Sequence, residues 1–188
     1  AELAHDPEEA NRLLDEAGWA LGSDGIREKD GQKLTLVASE AKPQPLSRDT
    51  LTLVAQQLKA IGVDLQILAA DSGTYAEAIK DPDQVQLYHS MVGRTDLDVI
   101  KSQYASTNRN ANLSNDAELD RLLGLVASTA DPAARLQASA DAQQYLVDQA
   151  YVIPLFEEPQ VYGAQDYVQG FGWDTVARPV FYNTWLAK

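Results

Sequence analysis

The chain has 188 residues, 45% of them apolar, which suffices for one large domain or two small ones with a packed core. Its 15 Lys and Arg against 28 Asp and Glu leave a net charge of −13, which argues against nucleic-acid binding over a broad surface, because neutralising phosphates needs clustered Lys and Arg. The absence of Cys excludes disulfides, thiol catalysis and Cys-bound zinc and is compatible with an extracytoplasmic protein, and no run of about 18 apolar residues offers a helical membrane span.

The first predicted element opens at Asp6-Pro7-Glu8-Glu9. Asp6 caps, Pro7 takes the first helical position, and the two glutamates suit the positive end of the helix dipole. Ala10, Leu13, Leu14 and Ala17 form an apolar stripe that predicts a buried face; Gly18 ends the helix and Trp19 comes next as an anchor. Gly22–Gly25 and Lys29–Gly31 carry turn chemistry around a short Ile26-Arg27 segment. Their acids do not match an EF-hand calcium loop, since no bidentate Glu falls at the right place, so they read as surface turns.

Leu34–Ala38 reads as a buried strand with β-branched Thr35 and Val37. Lys42-Pro43-Gln44-Pro45 breaks the pattern, and Ser47 is placed to cap a helix. From Leu46 to Ile61 the period is helical. Leu51, Val54, Ala55, Leu58 and Ile61 share one face, while Arg48, Thr52, Gln56 and Lys59 share the other. Gly62 suits a left-handed exit, and Val63–Leu68 then alternates with Val63, Leu65 and Ile67 on one face. Strand, helix and strand this close predict a right-handed parallel crossover and an α/β fold.

Asp71 starts a short helix, and Val85–Met91 reads as a third strand closed by Gly93–Asp96. Asp96 is placed to cap a helix from Leu97 to about Tyr104, and Ser106–Asn112 is a polar loop. Ser114 or Asn115 caps the next helix, whose stripe is Leu119, Leu122, Leu123 and Val126. Asp131-Pro132 starts another, running to about Gln149. Tyr151–Phe156 is strand-like, with Pro154 pointing to an edge or a bulge, and Gln160–Ala164 is a further extended piece. Pro179–Leu186 ends the chain in an apolar, aromatic run.

Catalytic patterns find no support. His5 and His89 have no third ligand at metal spacing, and His89 and Ser90, adjacent on a strand, point to opposite faces. There is no nucleophile elbow, phosphate loop or dinucleotide fingerprint. In α/β sheets ligands bind beyond the carboxyl ends of the strands. Of the loops in that position, Val92–Asp98 carries the most usable chemistry. Arg94 offers a planar fork to a carboxylate, and Asp96 and Asp98 offer acceptors to an amine or to hydroxyls. The same residues have a plain structural use, with Asp96 as a helix cap and Arg94 as its counter-charge.

Taken together, several segments carry a resemblance to a family. They are His5–Trp19 with its Ala-Gly-Trp ending, Asp24–Arg27, Asp30-Gly31, Val54–Asp64, Leu113–Asn115 with Glu118–Asp120, Ala130–Pro132, and Tyr151–Leu155 with its Ile-Pro-Leu. The chain resembles the C-terminal lobe of extracytoplasmic solute-binding proteins of family 5, the oligopeptide, dipeptide and nickel receptors of ABC importers. The resemblance implies an α/β fold, one lobe of a two-lobed periplasmic-binding-protein-like receptor with a mixed sheet flanked by helices. It implies that residues 1–178 form the C-terminal ligand-binding lobe and 179–188 a tail returning to a missing N-terminal lobe, so that the chain is a piece cut from a longer one. A peptide or other small solute, the importer's permease subunits and the missing lobe are the implied partners, without nucleic acid, cofactor, metal or catalytic residue. The implied location is outside the cytoplasm, with a membrane tether through an upstream lipidated residue.

In peptide-binding relatives the loop after the third strand supplies an Asp that pairs with the peptide's α-amino group. Placing Asp96-Leu97-Asp98 on the family's Asp-Pro-Asp puts that anchor at Gly93, and the family's neighbouring Trp falls on Ser90. Either Asp96 substitutes or the ligand lacks a free amine. The expected solute-binding residues are therefore Gly93, Arg94, Asp96 and Asp98. A free-standing α/β hydrolase-like enzyme and an acidic protein-interaction module are the competing functions.

Overall fold

The fold is that of a computed structural model, which describes residues 4–41, 44–109, 111 and 113–187. Lys42 and Pro43 of the expected break, Asn110 and Asn112 of the polar loop, and Lys188 of the tail lie outside the described residues. The chain forms two units that meet in sequence between Met91 and Val92.

The first unit opens with helix α1 (Pro7–Glu16), where the Asp6 carboxylate accepts the Glu9 N–H at 2.9 Å. The stripe expected to be buried is not: Leu13 is 51% exposed, Ala17 is exposed, and only Ala10 and Leu14 are half-covered. The contacts that place α1 are polar instead and run through Arg27. Next comes a three-stranded antiparallel meander, β1 (Ala20–Leu21), β2 (Arg27–Lys29) and β3 (Gln32–Lys33). Asp30 and Gly31, at φ +52° and +77°, make the tight β2–β3 turn that two left-handed residues favour. In the β1–β2 turn Asp24 accepts the Ile26 N–H at 3.2 Å and pairs with Lys33, which is turn chemistry as expected.

Arg27, only 3% exposed, begins β2. Its guanidinium donates to Asn11 Oδ1 at 2.7 Å, to Asp15 Oδ1 and the Trp19 carbonyl at 2.5 Å, and to the Ile61 carbonyl at 2.8 Å. One buried side chain thus ties together α1, its exit and the turn that leads into the central sheet.

That sheet is the predicted crossover. Strand β4 (Thr35–Ala41), helix α2 (Ser47–Ala60) and strand β5 (Asp64–Ala70) place β4 and β5 parallel, in register from Thr35 opposite Asp64 to Ala41 opposite Ala70. Ala38, Leu51 and Leu65 are its buried centre, with Val54, Ala55, Leu58 and Ile67 packed around them. The strand runs three residues beyond the expected Ala38, and Ser47 explains its end. Rather than capping α2, whose N-cap is Leu46, the buried Ser47 hydroxyl accepts the Ala41 N–H at 3.0 Å and joins the end of β4 to the start of the helix.

The third strand is shorter than Val85–Met91: β6 spans Leu87–Tyr88 and pairs parallel to β4, giving the order β5-β4-β6. The chain leaves the ladder after the His89 N–H donates to the Ser39 carbonyl, because the His89 carbonyl is taken by the Tyr75 hydroxyl at 3.0 Å. Tyr75 lies on α3 (Ser72–Ala78), which Asp71 caps through the Thr74 N–H. This sheet is parallel throughout; the antiparallel pairing of the α/β fold is confined to small separate sheets.

Among its described residues the second unit is built on three helices. Helix α4 (Val99–Tyr104) begins two residues later than expected, and Asp96 does not cap it; Asp98 holds the N-cap position without a side-chain cap bond. Helix α5 (Ala117–Ser128) is capped by Asp116, not by Ser114 or Asn115, because Leu113 and Asn115 adopt left-handed φ of +52° and +48° and delay the helical path. Asp116 Oδ1 accepts the Glu118 and Leu119 N–H groups, and Oδ2 accepts the hydroxyls of Tyr145 and Tyr151, both at 3.0 Å. Those N–H and O–H donors hold its carboxyl below the usual carboxylate range, the Leu119 N–H foremost. Helix α6 (Pro132–Asp148) starts at the expected Asp131 cap. Leu119, Leu123 and Val126 of α5 pack with Ala142 and Leu146 of α6 and Ala105 as its core.

The expected strand Tyr151–Phe156 does not form. Tyr151 is held by helix-end bonds and Asp116, Pro154 has no N–H, and Ile153, Leu155 and Phe156 are exposed. Gln160–Ala164 also forms no strand. The tail makes two short antiparallel pairs, β7 (Val168–Gln169) with β10 (Trp185–Leu186), and β8 (Gly172–Trp173) with β9 (Pro179–Val180). Phe171 lies at the centre of an aromatic cluster with Tyr162, Trp173 and Phe181, at ring distances of 4.9–6.3 Å. No described helix is long and apolar enough to cross a membrane.

Helices α1, α2 and α6 end alike. The residue after the C-cap is left-handed, and its N–H and that of the next residue return to carbonyls of the last turn. In α1 and α2 that residue is Gly18 or Gly62; in α6 it is Ala150, at φ +55°. Ala150→Gly should therefore stabilise the protein by about 1 kcal/mol by relieving the left-handed strain. Urea unfolding provides the measure, and a midpoint at or below that of the parent chain would contradict the strain. Arg27→Met should cost about 3 kcal/mol, because it strands several buried acceptors at once. A loss under about 1 kcal/mol in the same experiment would remove Arg27 from its central place.

Candidate functional site

The loop Val92–Asp98 belongs to the second unit. Its sequence is polar and lacks a regular period, and it is exposed from Val92 to Asp96. Arg94 Nε donates to Asp96 Oδ2 at 2.8 Å, with both side chains about half exposed. The Asp96 carboxylate is thus free of capping duty, and only its main-chain carbonyl meets the helix, accepting the Val99 N–H at 3.3 Å. Of the two structural roles weighed for this pair, counter-charge remains and cap does not.

Asp98 turns to a different partner. Its Oδ1 lies 3.2 Å from the guanidinium of Arg135, whose Nε donates to the Val126 carbonyl at 3.0 Å. Gly93 contributes its carbonyl, which accepts from the Arg178 guanidinium at 3.2 Å. A Cβ at Gly93 would meet nothing within 4 Å, and its φ lies outside the left-handed range. The loop thus brings Arg94 and Asp96 together, ties Asp98 to α6, and ties Gly93 to the β8–β9 turn. Arg94 and Asp96 present one cation and one carboxylate side by side, able to receive a ligand bearing either charge by exchange of the ion pair.

Further polar chemistry lies at the carboxyl end of β4 in the first unit, where sequence reasoning placed no residue. Glu40, largely covered, pairs with Arg48 from the first turn of α2. The Ser39 hydroxyl is fully buried without a hydrogen-bond partner among the described residues. Tyr75 and Tyr88 meet edge to face at 6.3 Å, and burial pushes the Tyr75 hydroxyl pKa up. An available signal was the position of Glu40 just before the Lys42–Pro45 interruption of the strand pattern and of Arg48 just after it. Their pairing depends on how the intervening chain closes, which periodicity does not report.

The family model described as bacterial extracellular solute-binding proteins, family 5 Middle, matches residues 1–111. The chain is 26% identical over 159 residues to the nickel-binding periplasmic protein of Escherichia coli (strain K12), covering 80% of this chain and 30% of that protein. It is 30% identical over 159 residues to the oligopeptide-binding protein OppA of Lactococcus lactis subsp. lactis (strain IL1403), covering 79% and 26%. It therefore spans less than a third of the length of these curated relatives. Among solved structures, NikA from Brucella suis in complex with Fe(III)-EDTA matches with a TM-score of 0.68 and 26% identity, over 79% of this chain and 31% of that one. AppA from Bacillus subtilis in complex with a nonapeptide also gives 0.68, over 100% of this chain and 39% of that one; at 22% identity this likeness speaks for the fold alone.

The open space at Gly93 yields a prediction. Gly93→Asp should fold with a melting temperature within about 2 °C of the parent, as expected for a surface change worth at most about 0.5 kcal/mol. A larger fall would mean that the loop is tighter than its geometry indicates.

Proposed function

The chain belongs to the bacterial extracellular solute-binding proteins of family 5, and we propose that it forms one lobe of an ABC importer receptor that encloses a peptide or related small solute against a second lobe. The observation that carries this reading is the family match over residues 1–111, which takes in the parallel crossover and the whole loop Gly93–Asp98. That loop supplies the binding groups. Arg94 receives a solute carboxylate, Asp96 receives an amine or hydroxyl, and Asp98 and the Gly93 backbone complete the contact surface. A peptide carries both charges at its ends and suits a site that offers both.

The tail, residues 179–188, is read as the segment that returns to an N-terminal lobe. Its exposed apolar side chains support this: Tyr182 is 93% exposed, and Phe181, Trp185 and Leu186 are all more than half exposed. A chain spanning less than a third of its relatives' length leaves ample protein to cover them. The permease subunits of the importer are the further partners, and an upstream lipidated residue is the membrane tether.

The relatives favour a second reading of the solute. Likeness to a nickel-binding periplasmic protein and to NikA with Fe(III)-EDTA supports a metal chelate in place of a peptide. Native mass spectrometry of the full-length receptor, purified without refolding, separates the two by the mass and isotope pattern of the bound solute. A receptor that carries neither, and that gives no calorimetric heat with a peptide mixture or with nickel–histidine, would refute both. In the same receptor, Arg94→Ala and Asp96→Ala should each weaken solute binding about tenfold, or about 1.4 kcal/mol. Unchanged affinity in both variants, with α4 intact by circular dichroism, would place the site elsewhere.

A further inference from the structure

Among the described residues the main chain of the loop Gly93–Asp98 is tied to the following helix only at its end, where the Asp96 carbonyl accepts the Val99 N–H and the Asp98 carbonyl accepts the Ser102 N–H. Yet both of its ends are gripped by arginines from distant parts of the second unit. At the far end, Arg135, in the first turn of α6, reaches Asp98 and shares its guanidinium with the Val126 carbonyl at the end of α5. At the near end, Arg178 reaches the Gly93 carbonyl across 85 residues of sequence.

Arg178 is itself held. It closes the turn between β8 and β9, where Asp174 Oδ1 accepts the N–H groups of Val176 and Arg178, both at 2.9 Å, and the Asp174 N–H returns to the Arg178 carbonyl at 3.0 Å. These donors keep the Asp174 carboxyl below the usual range, with the Arg178 N–H first among them. The backbone of Arg178 is therefore fixed, and its guanidinium is delivered to Gly93 from a rigid turn.

We propose that Arg178 and Arg135 are positioning residues that hold the loop Gly93–Asp98 from its two ends, so that the Arg94–Asp96 pair stands preformed between them. This rests on the reading of that loop as the solute-binding surface. The Arg178 guanidinium, on a backbone carbonyl, orients the loop without competing for Arg94 or Asp96, while Arg135 holds the loop by the Asp98 carboxylate. Preforming the pair lowers the ordering cost of binding. The turn between β8 and β9, just before the tail, thereby sets the loop.

Backbone 15N order parameters of the solute-free chain test this. In the parent chain, residues 93–98 should lie near the rigid value of about 0.85; in Arg178→Ala they should fall below about 0.6, with α5 and α6 unchanged. Arg178→Lys, which keeps a donor, should restore at least half of the loss. Three outcomes overturn the proposal: unchanged values at 93–98 in Arg178→Ala, a loop already below about 0.6 in the parent, or a fall spread evenly over the second unit. Because no solute is present, failure of the receptor reading leaves this result intact. Conversely, a failed clamp leaves the receptor reading to the bound-solute and affinity measurements.

Discussion

A buried guanidinium costs free energy unless its donors find acceptors, and the first unit brings four acceptors to Arg27. Asn11 and Asp15 lie one helical turn apart on α1, so both side chains reach the same point. The helix must stop where it does for the Trp19 carbonyl to face inward, which Gly18 permits. The turn after α2 must be tight for the Ile61 carbonyl to join, and the next residue can carry no side chain. A Cβ on Gly62 would lie 2.7 Å from Arg27 Cγ and 2.9 Å from Leu21 Cδ1. Gly62 is thus required twice, by its left-handed φ and by the arginine. The half-exposed Leu13 is understandable in this light, because polar anchoring rather than an apolar face orients α1.

The second unit uses the opposite charge for a similar purpose. Asp116 serves as the cap of α5 and as the acceptor for two tyrosine hydroxyls at the end of α6, so the start of one helix is locked to the end of the other. The apolar stripe of α5 then packs against α6 in a fixed setting. Arg135 binds the end of α5 and the loop before α4, which makes the candidate loop an extension of this helical scaffold. A loop tied to packed helices keeps its geometry better than one without such ties.

The candidate loop was legible as chemistry before it was legible as geometry. Arg94, Asp96 and Asp98 stand out because charged side chains cluster where a strand of an α/β sheet gives way to a helix. Which carboxylate caps, which pairs within the loop and which is drawn away could not be read from spacing. Asp96 and Asp98 stand two residues apart before α4, and neither carboxylate caps it, because Arg94 holds the one and Arg135 the other. Similarly, Ser47 looks like a cap by type and position. It became a strand-to-helix tie because the N–H of Ala41 at the end of β4 needed an acceptor.

What the sequence by itself determined is local. The periods of Leu46–Ile61 and Val63–Leu68 specified a helix and a strand, the glycines at 18 and 62 specified where helices end, and Asp-Pro pairs specified where two begin. These follow from backbone sterics and side-chain faces that span a few residues, and they suffice for the parallel crossover; the resemblance to the family rested instead on the combination of motifs such as Ala17-Gly18-Trp19 and Ile153-Pro154-Leu155. Only the tertiary structure decided the partners of the long polar side chains. Arg27 with Asn11, Asp15 and Ile61, Asp116 with Tyr145 and Tyr151, and Arg178 with Gly93 are contacts between residues far apart in the chain. Such side chains are flexible enough to reach several candidates. Their choice depends on which buried donors and acceptors remain after the backbone has packed, a condition no local stretch of sequence contains.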